Sequence, residues 1–232
     1  MCSSDLALRN NVLATRALAE LAAGAGVERF VLVSTDKAVI SETAMGASKA
    51  LCEYVVEAEA QERPGTRFMA VRFGNVLGSS GSVIPTFRRQ ILEGGPVTVT
   101  DPEMTRFFMT IPEAVTLVVQ AGAMGGRGQV YVLDMGKPVK IVDLARQMIE
   151  LSGHAVDEIG IRYLGARAGE KLHEVLWNDD ENVGPTSHPK IMRAARRPVD
   201  AAWLERELEA LERLVGQADT LAVVAKLRAM AA

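Results

Sequence analysis

The sequence is poor in cysteine, balanced in charge and free of long apolar runs. Its two cysteines, Cys2 and Cys52, exclude a disulfide framework and suit a reducing compartment. Lys and Arg number 26 against 29 Asp and Glu, a net charge of -3, so no general basic field is there to hold nucleic acid. No stretch approaches the roughly 18 consecutive apolar residues of a membrane span. Met1 to Leu6 is short and polar and carries Asp5, unlike a secretory signal. His154, His173 and His188 lack metal-ligand spacing, and no Gly-x-Ser-x-Gly elbow offers a nucleophile. Tandem repeats and low-complexity tails are missing too. With 48% apolar and 24% charged residues, the 232-residue chain has a globular composition that argues against intrinsic disorder. It can bury a core as one large domain or two small ones, and a soluble intracellular protein is expected.

One further absence concerns nucleotides. A doubly wound nucleotide-binding sheet opens with a strand, a Gly-rich turn and a helix whose N-terminus holds the pyrophosphate. No Gly-x-Gly-x-x-Gly occurs here, and Gly24-Ala25-Gly26 closes a helix instead of opening one. The pattern starts midway, so the chain is expected to be the C-terminal part of a longer protein.

What is present alternates between helix and strand periods. Leu6 to Ala23 has helical spacing, Arg29 to Ser34 is a short β-branched run of the kind buried on both faces, and Ala44 to Glu62 is helical again until Pro64-Gly65. Arg67 to Phe73 reads as a second buried strand. This order predicts an α/β fold, the C-terminal part of a doubly wound, Rossmann-like parallel sheet. Beyond Gly74, a Gly/Ser/Asn loop and short elements predict a smaller α+β lobe. They comprise helices near Ile84–Leu92, Pro112–Ala123 and Ile141–Ser152, and strands near Val97, Phe107 and Gln129–Asp134. From Ala201 two helices broken near Gly216 are expected to pack on the body or on another subunit. The domain reading is therefore residues 1–75 as a partial dinucleotide-binding domain, 76–200 as mainly substrate lobe with returning segments, and 201–232 as C-terminal helices.

The chemistry concentrates where a strand ends. Ser34-Thr35-Asp36-Lys37-Ala38 follows the first strand, and ligands of open α/β sheets sit at such carboxyl ends. Met45-Gly46-Ala47-Ser48-Lys49 opens the next helix, with Met45 and Lys49 on one face. Taken alone, the triplet reads equally as a capped turn with solvated lysines. Arg72-Phe73-Gly74-Asn75-Val76-Leu77-Gly78-Ser79-Ser80-Gly81-Ser82-Val83-Ile84-Pro85 is the next block. Thr100 to Phe108 and Gly165 to Leu172 follow it.

Together these five blocks, in order, resemble the extended short-chain dehydrogenase/reductase superfamily, and within it the nucleotide-sugar 4,6-dehydratases of the UDP-N-acetylglucosamine type. The resemblance implies a lyase of bacterial surface polysaccharide biosynthesis that uses NADP or NAD, takes a UDP-sugar and forms a homo-oligomer. It implies Asp36 as the acid at C6, Lys37 as the base at C5 and Thr35 as a hydrogen-bond partner of the C4 oxygen. Lys49 would bind the nicotinamide ribose, with Ser34, Arg72 and Phe73 also at the cofactor. Asn11 matches the family's helix asparagine that holds the active-site geometry. Asn75, Ser82 and Val83 would receive the nucleotide-sugar, with Ser79 and Ser80 as further donors. Arg106 and Arg167 would meet the diphosphate and Glu170 the ribose. One departure is Met45, where the superfamily usually has the Tyr of a Tyr-x-x-x-Lys pair. Met carries no titratable proton, so the acceptor of the C4 hydroxyl proton is open, with Asp36 the first candidate. The long, membrane-anchored branch of the family resembles this chain in having Met there. That implies a cytoplasmic catalytic part in a parent anchored at the inner face of the bacterial membrane. The rival readings are an epimerase on the same scaffold and an inactive nucleotide-sugar-binding piece.

Overall fold

The computed structural model of the chain describes residues 6–79, 81–217 and 219–231. Cys2 and Ser80 lie outside the described residues. In chain order, a π-helical turn at Leu8–Leu13 leads into α1 (Ala14–Gly24), β1 (Arg29–Val33) and a single 3-10 turn at Asp36–Ala38. Then come α2 (Ala44–Glu62), β2 (Arg67–Arg72), β3 (Asn75–Val76), α3 (Val83–Leu92), β4 (Val97–Val99), β5 (Thr105–Arg106), β6 (Phe108–Met109) and α4 (Ile111–Met124). The remainder is β7 (Gln129–Leu133), β8 (Val139–Lys140), α5 (Ile141–Leu151), α6 (Val156–Ile159), β9 (Ile161–Tyr163), β10 (Asn182–Pro185), β11 (Ile191–Ala195), α7 (Ala201–Gly216) and α8 (Thr220–Ala231). Among the described residues, no helix is long and apolar enough to cross a membrane.

The chain forms two compact units. One holds the residues up to Phe73, Thr116–Asp134 and those from Val175 onward; the other holds Gly74–Val115 and Met135–Glu174.

The first unit is built on a five-stranded sheet of order β1-β2-β7-β11-β10. β1, β2 and β7 run parallel, with Arg29 opposite Arg67 and Met69 opposite Gln129. β11 then pairs antiparallel with β7, and β10 antiparallel with β11. The Rossmann-like parallel arrangement therefore covers three strands, and two antiparallel strands complete the sheet. β10 carries Gly184 and Pro185, residues that weaken a strand reading, and Pro185 is tolerated because β10 is an edge. β2 is buried from Phe68 to Arg72, as a central strand should be. β1 is not buried on both faces as its sequence suggests. It has one neighbour in the sheet, only Leu32 is fully buried, and Val33 is 51% exposed.

α2 is the spine of this unit. Thr43 caps it, its hydroxyl accepting from the Gly46 N–H at 3.1 Å. Leu51, Cys52, Val55 and Val56 are buried, and so are the small residues Ala47, Ala50 and Ala60. The small residues let β2, the π-helical turn, α7 and α8 all approach. The two C-terminal helices thus pack on the body of this unit. Burial pushes the Cys52 thiol above its ordinary range.

The second unit has its own core. Phe87 and Ile91 of α3 meet Val97 and Val99 of β4, with Met104 beside them, and Ile141, Ala145 and Ile149 of α5 close it. Each such side chain, fully buried, contributes about 1.5–3 kcal/mol. Short two-strand pairs, β3 with β6, β4 with β9 and β5 with β8, frame that core.

Candidate active site

The first unit's candidate site begins where β1 stops. The Ser34 N–H donates to Val71 O (2.8 Å) and the Asp36 N–H to Phe73 O (3.0 Å), so the pairing with β2 runs on past the strand. Thr35 is extended and caps the 3-10 turn: its hydroxyl accepts from the Lys37 N–H (3.3 Å) and donates to Asp36 Oδ1 (3.0 Å). Lys37 Nζ donates to the same Oδ1 at 2.9 Å. Asp36 is completely buried, and its Oδ2 has no hydrogen-bond partner. An unsatisfied buried polar atom costs about 1–3 kcal/mol, and more when charged, so this atom needs a reason.

The start of α2 closes on that turn. Gly46 is required there, because a Cβ would collide with the Lys37 carbonyl oxygen. Lys49 Nζ donates to the Val33 carbonyl at 2.7 Å, at the end of β1. Asn11 Nδ2 donates to Ser48 Oγ (2.8 Å), which donates to Met45 O (2.7 Å), so the π-helical turn is fastened to the first turn of α2. π-turns recur at functional sites. Met45 is 43% exposed. Thr35, Asp36, Lys37, Met45, Lys49 and Asn11 are therefore neighbours around one strand end.

Arg72 and Ser34 both bond a buried carboxylate, Glu53. The Arg72 guanidinium is buried and uses every donor: Nε and Nη2 on Glu53 (3.1 and 2.7 Å), Nη1 and Nη2 on Glu181 (2.8 and 3.1 Å), and Nη1 on Leu176 O (3.0 Å). Ser34 Oγ donates to Glu53 Oε1 at 2.6 Å and is itself buried. Burial acts to raise the Glu53 pKa, but Arg72, Arg196 and the Ser34 hydroxyl outweigh it and hold the carboxyl below the usual range. Burial likewise opposes the charge of Arg72, and its two carboxylates more than restore it. Arg196 joins the group at Glu53 Oε2 (3.4 Å) and Glu57 Oε2 (3.2 Å) and stacks 4.3 Å over the Tyr54 ring. Phe73 contributes its backbone carbonyl to the Asp36 N–H.

The second unit holds a pocket of about 270 Å³. Asn75, Ser79, Ser82, Val83, Arg106 and Glu170 line it, with Thr100 and Phe108 of the fourth sequence block and with Phe87 and Thr98, which the sequence did not single out. Ser82 is the N-cap residue of α3, yet its hydroxyl caps nothing and is buried without a partner. Arg106 is set by the carbonyls of Thr105 (2.7 Å), Lys171 (2.9 Å) and Leu172 (3.1 Å), with Glu174 at 3.8 Å and Glu170 at 3.9 Å. Arg167 is not brought to this pocket. It is exposed in a loop, and its backbone N–H donates to Glu170 Oε2 at 3.4 Å.

Comparison with known proteins places this arrangement. Capsular polysaccharide biosynthesis protein CapD of Staphylococcus aureus is 56% identical over 187 residues, 81% of this chain and 31% of CapD. The match thus spans about a third of the length of CapD and of the probable polysaccharide biosynthesis protein EpsC of Bacillus subtilis, and about half of other curated relatives. Among solved structures, Pen from Bacillus thuringiensis superposes with a TM-score of 0.73 at 31% identity, over 81% of this chain and 58% of Pen. DesIV, the dTDP-glucose 4,6-dehydratase of Streptomyces venezuelae solved with NAD bound, superposes with a TM-score of 0.66 over 75% of this chain and 59% of DesIV; at 23% identity it shares the fold. A family model described as polysaccharide biosynthesis protein matches residues 3–196, and the chain belongs to that family.

Proposed function

We propose that these residues form the catalytic part of a nucleotide-sugar 4,6-dehydratase that converts UDP-N-acetylglucosamine to a 4-keto-6-deoxy product for a bacterial surface polysaccharide. The observation that carries the reading is the bare, buried Oδ2 of Asp36. The identity to CapD, a capsular polysaccharide biosynthesis protein, supports the surface-polysaccharide role.

NADP or NAD fits beside Lys49. The lysine ammonium lies at the end of β1, where it can donate to a ribose hydroxyl, and the Gly46 contact holds α2 close to the turn. A nicotinamide bound there supplies the acceptor for the C4 hydride and later its donor to C6. The protein's part is proton handling. Asp36 Oδ2 accepts the C4 hydroxyl proton as the C4 ketone forms, a task that Met45 cannot perform. The Thr35 hydroxyl, whose one proton goes to Asp36 Oδ1 in this structure, turns to donate it to the C4 oxygen as the ketone forms. The ketone acidifies C5–H, and Lys37, acting as the neutral amine, removes that proton. Asp36 then gives its proton to the C6 oxygen, and the C6–O bond breaks to release water. Lys37 returns its proton to C5 once C6 has regained hydride. Both residues end as they began, and the sugar has lost one water.

The pocket of the second unit is read as the place for the diphosphate. The Ser82 hydroxyl without a partner, the N-terminus of α3 and Arg106 form a donor set suited to an anion. A volume of about 270 Å³ lies just below the roughly 300–1,000 Å³ of whole-ligand sites, so it takes part of a nucleotide rather than all of it.

Mass spectrometry of the product made by the native-length protein from UDP-N-acetylglucosamine tests the reading. Loss of one water is expected. An unchanged mass with altered sugar couplings means an epimerase, and retained UDP binding without product means a binding piece.

A further inference from the structure

The turn that carries Asp36 and Lys37 is tied at both ends to one buried group of charges. At its start, Ser34 Oγ donates to Glu53 (2.6 Å). At its end, Ile40 has a φ of 41°, the left-handed region that a β-branched residue seldom adopts. The Ile40 side chain is 52% exposed, so packing does little to hold that conformation. Its N–H, however, donates to Asn178 Oδ1 at 2.9 Å. The Asn178 N–H in turn donates to Glu181 Oε2 at 2.7 Å. Arg72 joins Glu181 to Glu53, with Nη1 2.8 Å from Glu181 Oε2 and Nη2 2.7 Å from Glu53 Oε2. The connection therefore runs Ser34, Glu53, Arg72, Glu181, Asn178, Ile40, and it spans the turn from one side to the other. Arg72, Glu53 and Glu181 are buried, so the geometry of their charges is fixed by surroundings of low dielectric.

We propose that Asn178 is a positioning residue for the Asp36–Lys37 pair. Its side-chain oxygen holds Ile40 in the left-handed conformation and so sets the exit of the 3-10 turn. Its backbone N–H takes its own position from the Arg72–Glu181 pair. Asn178 touches no reacting atom. The proposal rests on the reading of Asp36 and Lys37 as the reacting groups. The pattern Asn178-Asp179-Asp180-Glu181 hides the role in sequence, where it looks like a solvated acidic run.

The test compares Asn178→Ala, Asn178→Asp and Asp36→Asn in the native-length protein, with kcat and KM for UDP-N-acetylglucosamine. Amide hydrogen exchange at Ala38, Val39 and Ile40 is measured alongside. Asn178→Ala is expected to lower kcat about tenfold with KM changed less than about twofold. Exchange should rise at Ile40 and also at Ala38 and Val39, whose N–H groups bond within the turn. Asn178→Asp keeps an acceptor for the Ile40 N–H and should restore most of kcat and of the protection. Full kcat in Asn178→Ala, or a loss that Asn178→Asp does not recover, overturns the proposal. Those results are informative when Asp36→Asn abolishes turnover in the same preparation. Full turnover in Asp36→Asn removes the site reading itself, and the positioning role falls with it.

Discussion

Lys37 Nζ lies 2.9 Å from Asp36 Oδ1, while the other oxygen of that buried carboxylate meets no partner. Adjacent residues in a 3-10 turn cannot point their side chains together without a reason. Here Thr35 and Lys37 both hold Oδ1, which leaves Oδ2 as the oxygen still able to accept a hydrogen bond. The proposed proton route through Asp36 and Lys37 rests on that asymmetry.

Lys37→Ala should abolish most of the exchange of the C5 proton with deuterated solvent, measured by NMR of the sugar during turnover. Hydride removal at C4 should persist as a slow build-up of reduced-nicotinamide absorbance. Exchange at the wild-type rate would assign the C5 base to another group.

Gly46→Ala tests the closeness of α2 and the turn. The new Cβ meets the Lys37 carbonyl oxygen, a backbone atom that cannot swing aside. Overpacking of this kind costs about 1–3 kcal/mol. Urea unfolding should show that loss, and turnover should fall by more than the loss of folded protein explains. A variant as stable as wild type would mean that the helix does not approach the turn so closely.

Glu53 makes stability depend on acid. Its carboxyl is held below the ordinary value of 4.5, so it contributes stability that is complete above that pH. The contribution is lost as pH falls from there through the depressed value. Removing one partner of a buried ion pair costs about 3–5 kcal/mol. Glu53→Gln should therefore be less stable by roughly that amount at pH 7, and the gap should narrow below about pH 4. Chemical unfolding at pH 7 and pH 3 measures both. A gap that does not change with pH would contradict the assignment.

Ser82→Ala separates a ligand-binding hydroxyl from an idle one. Removing a buried, unpartnered hydroxyl should leave the protein as stable as before or slightly more so. UDP binding by calorimetry should weaken about tenfold, the equivalent of one lost hydrogen bond to a charged group. Unchanged UDP affinity would place the diphosphate elsewhere.

Much of the fold was legible in the sequence because it is local. The periodicity of α2 and its Pro64-Gly65 stop fix that helix to its observed bounds, and the break near Gly216 separates α7 from α8. β10 and β11 were not legible. Gly184, Pro185 and the exposed Arg193 lack the apolar run of a central strand, and they form strands only because β7 offers an edge. The candidate site divides in the same way. The Thr35–Lys37 turn and the Met45–Lys49 helix start are short-range patterns. The burial of Arg72 depends on Glu181, 109 positions away, and on Glu53 from another element, so its place in an ion group could not be read along the chain. Asn178 and Ile40 are 138 positions apart and share no pattern at all. The bond that Ser34 makes is hidden for a related reason. Its hydroxyl turns inward to Glu53, and nothing in Val33-Ser34-Thr35 states that direction.

The most direct measurement is turnover of UDP-N-acetylglucosamine by Asp36→Asn in the native-length protein, with UDP affinity measured in the same sample. The amide matches the carboxylate in shape but neither takes the C4 proton nor gives one to C6. The account predicts UDP affinity within about twofold of wild type and kcat lower by about a hundredfold or more. Wild-type turnover with Asn at position 36 would contradict it and remove the carboxylate from the mechanism.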